Sequence, residues 1–565
     1  MNLSKALTLA ALTLAGAAPA QNPEFRIDIR TDPGQMVWIA MGQRLGPTTQ
    51  FPGVSGSLRL DLASTIIWAA APAGPLGKSR NPVPAAAFRA GLRWNAQLVA
   101  LEPQGLRLTP SFTVDGVGLP QLASASPTGM PVGGENPDGN DDPRQAAVNH
   151  SLANGNTSFD LDARRNPTPP PREAGRRGAL ASAGSEPLID MGGLERVDLA
   201  NMTAFPYSAS VKLFMTFPGT PNKYYQGSGI LIDPDHVLTA GHCAYDKDLG
   251  GYADKIWVIP GYSATGASTG TPWNTDMSNW GGSEPFGHSS VVDIKTWSEW
   301  RNNKKYKHDL AVVELNRPVG ALAGWIGIDY SNSCSFYKDN YFYMRGYPAT
   351  GPYVGSRMYA QSGDFDSCPT KWEARFDRLS YGGSSGSGFY DYDNGDRWVH
   401  GVLSHAAGLY PNKTDAVRMR DEKYDDIRDW MNDHRGTSAD LTPLAARFND
   451  AVFSTPPSSV TRGSSYALEF TCLNYSRVSR SGSLTYTWRI SSNDTISGGD
   501  TVLDTVTKSS VPIGSLETLD LHDTLTIPSS LSTGTWYIGV IISTTDARTG
   551  NQHTLAQDVL QVSVI

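Results

Sequence analysis

Gly229-Ile230-Leu231-Ile232-Asp233-Pro234-Asp235-His236-Val237-Leu238-Thr239-Ala240-Gly241-His242-Cys243 reads as two apolar strands around an Asp-Pro-Asp turn. The hairpin delivers a histidine just after a buried strand. Downstream, Lys307-His308-Asp309-Leu310-Ala311-Val312-Val313-Glu314-Leu315 sets an aspartate at the mouth of another apolar strand. Gly382-Gly383-Ser384-Ser385-Gly386-Ser387-Gly388 is a flexible turn crowded with serines, and Gly401-Val402-Leu403-Ser404-His405 is a further strand. Serine is a poor nucleophile at neutral pH, so it needs a base, and the base needs an orienting carboxylate. Glycines beside the serine let backbone N–H groups turn towards a developing oxyanion, worth about 2.7–4 kcal/mol per donor.

The frame around these segments is large and rich in turns. The chain has 565 residues, too many for one ordinary domain. Hydrophobic residues make up 39% and charged residues 18%, which excludes a wholly disordered chain. The 57 Gly and 38 Pro favour β structure and linkers over helix bundles. A net charge of −8 argues against a general nucleic-acid binder. Four cysteines are too few for a disulfide-dense scaffold and match no zinc ribbon.

Lys5, the apolar run Ala6–Ala17 and Ala18-Pro19-Ala20 have the form of a signal peptide over residues 1–20. The run is shorter than the roughly 20 residues that span a bilayer, so the expectation is a secreted, extracellular protein without a membrane span. Residues 21–118 alternate short apolar runs with Gly and Pro and are expected to form a β-rich pro-segment. Residues 119–187, with Pro169-Pro170-Pro171 and the pairs Arg164-Arg165 and Arg176-Arg177, are expected as a disordered, cleavable linker. The main β region spans 188–436 and ends on helical spacing at Asp425, Ile427, Trp430 and Met431. A Thr/Pro-rich join at 437–460 leads to a last β segment at 461–565. Asp391-Tyr392-Asp393-Asn394-Gly395-Asp396 could be a calcium loop, but Asn-Gly between apolar strands favours a hairpin.

Thr239-Ala240-Gly241-His242-Cys243, His308-Asp309-Leu310-Ala311 and Gly383-Ser384-Ser385-Gly386-Ser387 resemble the three signatures of chymotrypsin-like serine proteases, in that family's His, Asp, Ser order. The serine segment, Gly346-Tyr347-Pro348 and Glu195-Arg196-Val197 with Thr203-Ala204-Phe205-Pro206-Tyr207 resemble its glutamyl endopeptidase branch. The resemblance covers about 188–434. It implies a mainly β chymotrypsin-like double barrel with the site in the cleft between barrels. It makes His242 the general base, Asp309 its orienter and Ser385, which alone has Gly two before and Gly directly after, the nucleophile. Gly383 and Ser385 would give the oxyanion-hole N–H groups. Ser380, Ser404 and His405 are the substrate-side candidates, with Ser404 also matching the position whose hydroxyl contacts the buried aspartate. His236, His288, His308 and His400 take structural readings.

Two departures accompany the resemblance. Ser384 stands where trypsin has the aspartate that pairs with a freed N-terminus, and Leu403 stands where the glutamate-specific branch has a histidine. Cys243 lacks the upstream partner usual in the family, whereas Cys334 and Cys368 resemble a disulfide pair seen in some relatives; Cys472 stands alone. Residues 461–565 resemble a CARDB-type, immunoglobulin-like β-sandwich through Leu468-Glu469-Phe470 with Asn474, Ser491–Ile496 before Asp500, and Gly534-Thr535-Trp536-Tyr537-Ile538-Gly539. Such a module implies an extracellular ligand or a spacing role.

The expectation is thus a secreted serine endopeptidase acting on protein or peptide substrates, requiring no cofactor or metal, with no nucleic-acid partner. Two other readings stay open. Gly382-Gly383-Ser384-Ser385-Gly386 fits the elbow of an α/β-hydrolase with Ser384 as nucleophile, if a strand precedes it and a helix follows. A non-catalytic binding or adhesion protein on a protease-like scaffold is the other.

Overall fold

The computed structural model describes residues 150–153, 173–182 and 194–565 in full, apart from 221–222, 265–281, 394–395, 409–411, 434, 454 and 545–549; elsewhere only strands are described. The chain forms two compact bodies. One comprises residues 1–125, 186–195 and 361–363; the other comprises 126–185, 196–360 and 364–565. In the first, strands recur from Phe25–Arg30 to Phe112–Asp115, with Val37–Gly42 between Thr65–Ala69 and Arg93–Glu102. The expected signal peptide lies outside the described residues.

The second body opens with a six-stranded barrel: β1 (Ser210–Thr216), β2 (Tyr225–Leu231), β3 (His236–Thr239), β4 (Lys255–Pro260), β5 (Ser289–Trp297) and β6 (Ala311–Leu315). Antiparallel pairing runs β1-β2-β3-β6-β5-β4 and back to β1, which closes the sheet. Period-2 alternation fills it: Val211, Leu213 and Met215 enter the barrel core, while Phe214 turns to a cluster with Tyr262 and Tyr347. Each such side chain taken fully from water contributes about 1.5–3 kcal/mol.

The second sheet holds β7 (Phe342–Gly346), β8 (Phe365–Ser367), β9 (Glu373–Phe376), β10 (Gly388–Asp393), β11 (Asp396–Ala406) and β12 (Thr414–Arg418), paired in the order β7-β10-β11-β12-β9-β8. Asp393 faces Asp396 in the β10–β11 pair, the register of the expected two-residue hairpin; Asn394 and Gly395 themselves lie outside the described residues. Ile230, Leu238 and Leu310 of the barrel share a core with Tyr390, Val399 and Val402 of this sheet. Helix α1 (Asp421–Asp433) adds Tyr424, Ile427, Trp430 and Met431 to the same core, at the helical spacing expected from the sequence. Among the described residues no helix is long and apolar enough to cross a membrane.

Two stretches expected as linkers are built into the fold. Ala147–Ser151 pairs with β5 and extends the barrel sheet, and Thr157–Asp160 pairs with it in turn. Arg176 bridges Trp325, Ser182–Ala183 pairs with Ala204–Phe205, and Glu173 binds Arg428 and Arg435 at 2.9 Å each. A Cβ on Gly175 or Gly178 would lie within 2.3 Å of backbone atoms at 322–327, so this strap is seated on the barrel region through its glycines. Arg176-Arg177 therefore lies in a docked segment, while Arg164-Arg165 lies outside the described residues. Backbone pairing to neighbouring strands ties these parts of the 119–187 stretch to the sheets.

Likewise the C-terminal sandwich begins before residue 461. Its first strand, β13 (Leu441–Phe448), pairs with β14 (Ser465–Asn474), which pairs with β17 (Thr518–Thr526). The facing sheet joins β15 (Leu484–Ser491), β16 (Thr501–Lys508), β18 (Gly534–Ile542) and β19 (Leu560–Val564). Leu441 and Phe448 enter the sandwich core with Phe470, Tyr486 and Trp488.

This sandwich is fastened to the barrel. Leu444, Leu473, Tyr475 and Leu516 share the barrel's core cluster with Leu315 and Val319. Arg317, just past β6, grips Asp558 through Nε at 2.7 Å and Nη2 at 2.6 Å, both side chains being buried. Tyr475 donates to Asp235, and Asp233 accepts from Arg435 at 2.7 Å. His236 lies between Asp233 and Asp235 at 2.9 Å from each; burial opposes its charge, but the two carboxylates push its pKa up to about 10. Arg317→Met strands Asp558 as a buried, unpaired charge. It is expected to cost about 3–5 kcal/mol, measured by denaturant unfolding; a change below ~1 kcal/mol would contradict this fastening.

Candidate functional site

Thr239, the last residue of β3, faces Ala311, the first of β6. The chain leaving one strand therefore meets the chain entering the other at the same end of the barrel. Three residues beyond Thr239, His242 lies on the turn Gly241–Ala244; two before Ala311, Asp309 follows the turn Tyr306–His308. His242 Nδ1 is 2.8 Å from Asp309 Oδ2, and the His242 amide donates to Oδ1 at 2.7 Å. Ser404 Oγ donates to Oδ2 at 2.5 Å from the second sheet. Burial raises the cost of the Asp309 charge, but His242 and these donors outweigh it and hold its pKa below the ordinary value. The same pair works on His242: burial disfavours its cation, yet Asp309 lifts its pKa well above 6.5. A Cβ on Gly241 would lie 2.7 Å from Trp300 and 3.0 Å from Asp309 Oδ1, so only glycine lets the histidine turn pass this close.

The serine turn docks on the same end. Gly386 adopts φ +86°, and a Cβ there would meet Thr239 Oγ1 at 2.1 Å and Ala240 N at 2.9 Å. The Ser385 carbonyl accepts from Ser228 N at 2.9 Å and lies 3.7 Å from the Cys243 sulfur, next along the chain to His242. The amides of Ser384, Gly386 and Ser387 are bonded to Tyr381, Leu403 and Ser384 carbonyls. Among the described residues, no backbone carbonyl takes the amides of Gly383 and Ser385. Gly383 has φ +94°, a conformation open to glycine at little cost.

Ser384 is fully buried, and strand β10 follows the turn instead of a helix, which removes the α/β-hydrolase elbow. Ser380 is buried with no hydrogen-bond partner for its hydroxyl among the described residues. His405 is also buried: its Nδ1 lies 2.9 Å from Ser404 Oγ and its ring packs 4.6 Å from Tyr306. It stands behind Asp309 in a polar line through Ser404. Leu403 lies in the interior. His288 pairs with Glu284, His400 packs among Phe336 and Phe342, and His308 is held neutral by burial and the lysines around it. Cys334 and Cys368 are bonded to each other, while Cys243 and Cys472 are buried outside that disulfide.

Ser228 carries no motif, yet it joins the barrel to the serine turn. Its hydroxyl donates to the Gly383 carbonyl at 2.7 Å and accepts from Tyr347 N at 2.8 Å, while its amide serves Ser385. The sequence gives no sign of this, because all three partners are more than a hundred residues away. Away from the site, Asp233, Asp235 and His236 bring potential metal ligands within 4.8 Å of one another, but Arg435, Tyr475 and His236 itself already engage both carboxylates.

Residues 196–352 match the family model described as Trypsin. An extracellular metalloprotease of Bacillus subtilis is 25% identical over 308 residues, covering 51% of this chain and 90% of that protein. A glutamyl endopeptidase of Bacillus licheniformis is 26% identical over 247 residues, 43% of this chain and 69% of that one. A solved Glu endopeptidase in complex with MPD shares 20% identity over 42% of this chain and 96% of its own, with a TM-score of 0.34. The family match and the two curled sheets make this region a chymotrypsin-like serine protease domain.

The unpaired Cys243 offers a check on this geometry. A Cβ on Gly227 would lie 3.0 Å from its sulfur, a separation that one bridging sulfur atom spans. Gly227→Cys is expected to form that disulfide and stabilise the domain by about 3 kcal/mol, seen as a reductant-sensitive rise in Tm. Two free thiols at 227 and 243 in the folded, oxidised variant would contradict it.

Proposed function

We propose that this chain is a secreted serine endopeptidase made as a precursor, which cleaves protein substrates through His242, Asp309 and Ser385. The observation that carries the reading is the pairing of the buried Asp309 with His242 at the barrel end where the serine turn docks. Ser385 Oγ attacks the peptide carbonyl carbon as His242 Nε2 takes its proton, and the imidazolium is stabilised by Asp309. The amides of Gly383 and Ser385 receive the oxyanion. His242 then gives the proton to the leaving amine, and water, activated by the same base, releases the acid from the acyl-enzyme. The Bacillus subtilis relative named extracellular supports an extracellular site of action.

The same relative is named a metalloprotease, so the chemistry is tested against a chelator. Ser385→Ala is expected to lower casein hydrolysis by at least about 10⁴-fold with Tm unchanged, while EDTA leaves wild-type activity intact. Loss of activity in EDTA, or wild-type hydrolysis by Ser385→Ala, would contradict the proposal. The active base is neutral imidazole. Because its pKa lies well above 6.5, kcat/KM is expected to fall as pH drops through a value above 6.5; an acid limb at or below the ordinary histidine value in a pH–rate profile would contradict this pairing. With Leu403 in the interior and His405 held on Ser404, the reading does not extend to a preference for glutamate.

A further inference from the structure

Behind Asp309 runs a line of buried polar groups that the triad chemistry leaves without a task. Ser404 Oγ lies 2.5 Å from Asp309 Oδ2 and 2.9 Å from His405 Nδ1. An ionised carboxylate only accepts, so the single Ser404 proton goes to Asp309. Ser404 Oγ must then accept from His405, which makes Nδ1 the protonated nitrogen of that ring.

Neighbours in a regular strand point to opposite faces, and both faces of β11 are covered from Trp398 to Ala406, so Ser404 and His405 are both buried. The β11–β12 register shifts between Leu403 and His405, and a bulge of this kind re-aims side chains. The ring of His405 is itself held. Tyr306 packs against it, and Nε2 lies 3.7 Å from Asp415 and 3.8 Å from Glu373. Arg375 clamps Asp415 with two bonds of 2.9 Å. The charged and titratable groups facing His405 are thus Asp309, His242, Tyr306, Glu373, Asp415 and Arg375. Burial pushes its pKa below 6.5 against the pull of Asp415 and Asp309, which keeps the ring neutral in the range where His242 works.

We infer that His405 is a positioning residue: its Nδ1–H fixes the Ser404 hydroxyl on Asp309 and so holds Asp309 against His242. This rests on the proposed protease reading. Without the Nδ1–H, Ser404 is free to turn away and Asp309 loses a donor. The less stabilised carboxylate then attracts the His242 imidazolium more strongly, so the acid limb moves to higher pH.

The test uses purified, processed enzyme whose wild-type form reacts with a fluorophosphonate. His405→Phe keeps the ring volume and removes the donor. It is expected to lower kcat about tenfold with KM within about twofold, and to raise the acid limb by about 0.5 pH unit. His405→Asn, whose side-chain N–H lies near the place of Nδ1, is expected to recover to within about threefold of wild type. Wild-type kcat and acid limb in His405→Phe would overturn the inference, as would an Asn variant no better than Phe. Should the Phe variant fail to fold, Asn is compared with His405→Gln, whose donor falls nearer the place of Nε2. Asn near wild type with Gln shifted supports the inference, and equal behaviour overturns it. A folded, processed wild type that does not react with the fluorophosphonate would overturn the protease reading itself.

Discussion

A carboxylate with no exposure to solvent sits where two sheets meet, and its donors come from two distant parts of the chain. Asp309 accepts from the amide and ring of His242 in the barrel and from Ser404 in the second sheet. An unpaired charge at this depth would cost several kcal/mol, so the fold must keep all these donors in place together. The β3–β6 register brings the first two, and the β11 bulge brings the third. The register also fixes where the serine turn can dock, because Gly386 fits only against Thr239 and Ala240.

The rest of the second body braces that junction. The hairpin ahead of His242 carries Asp233, Asp235 and His236, and these reach Arg435 and Tyr475 beyond the protease region. Arg317, leaving the strand that Asp309 precedes, is locked to Asp558 of the sandwich. Both strands that deliver the site are thus tied at their far ends to the C-terminal domain. The sandwich and the 173–182 strap both pack on the region that carries the site.

The local chemistry was legible because it is written in short stretches. A glycine before His242, an aspartate opening an apolar strand and glycines around Ser385 are each intelligible from backbone geometry alone. The helix at Asp421–Asp433 was legible through its apolar spacing. What stayed hidden depends on distant partners. Ser228 is a small residue between glycines whose importance arises only once Gly383, Tyr347 and Ser385 are folded against it. Ala147–Ser151 and Leu441–Phe448 are strands because a neighbouring sheet edge accepts them. His405 carried a substrate-side reading from its place in the sequence, and its contact with Ser404 became visible only in the folded chain.

Identifying the covalently modified residue tests the central claim most directly. Purified, processed protein would be treated with a fluorophosphonate, digested with a second protease and analysed by peptide mass spectrometry. The account predicts a single adduct on Ser385, absent when the protein is first denatured. An adduct on Ser380, Ser384 or Ser387, or none on folded protein, would contradict it.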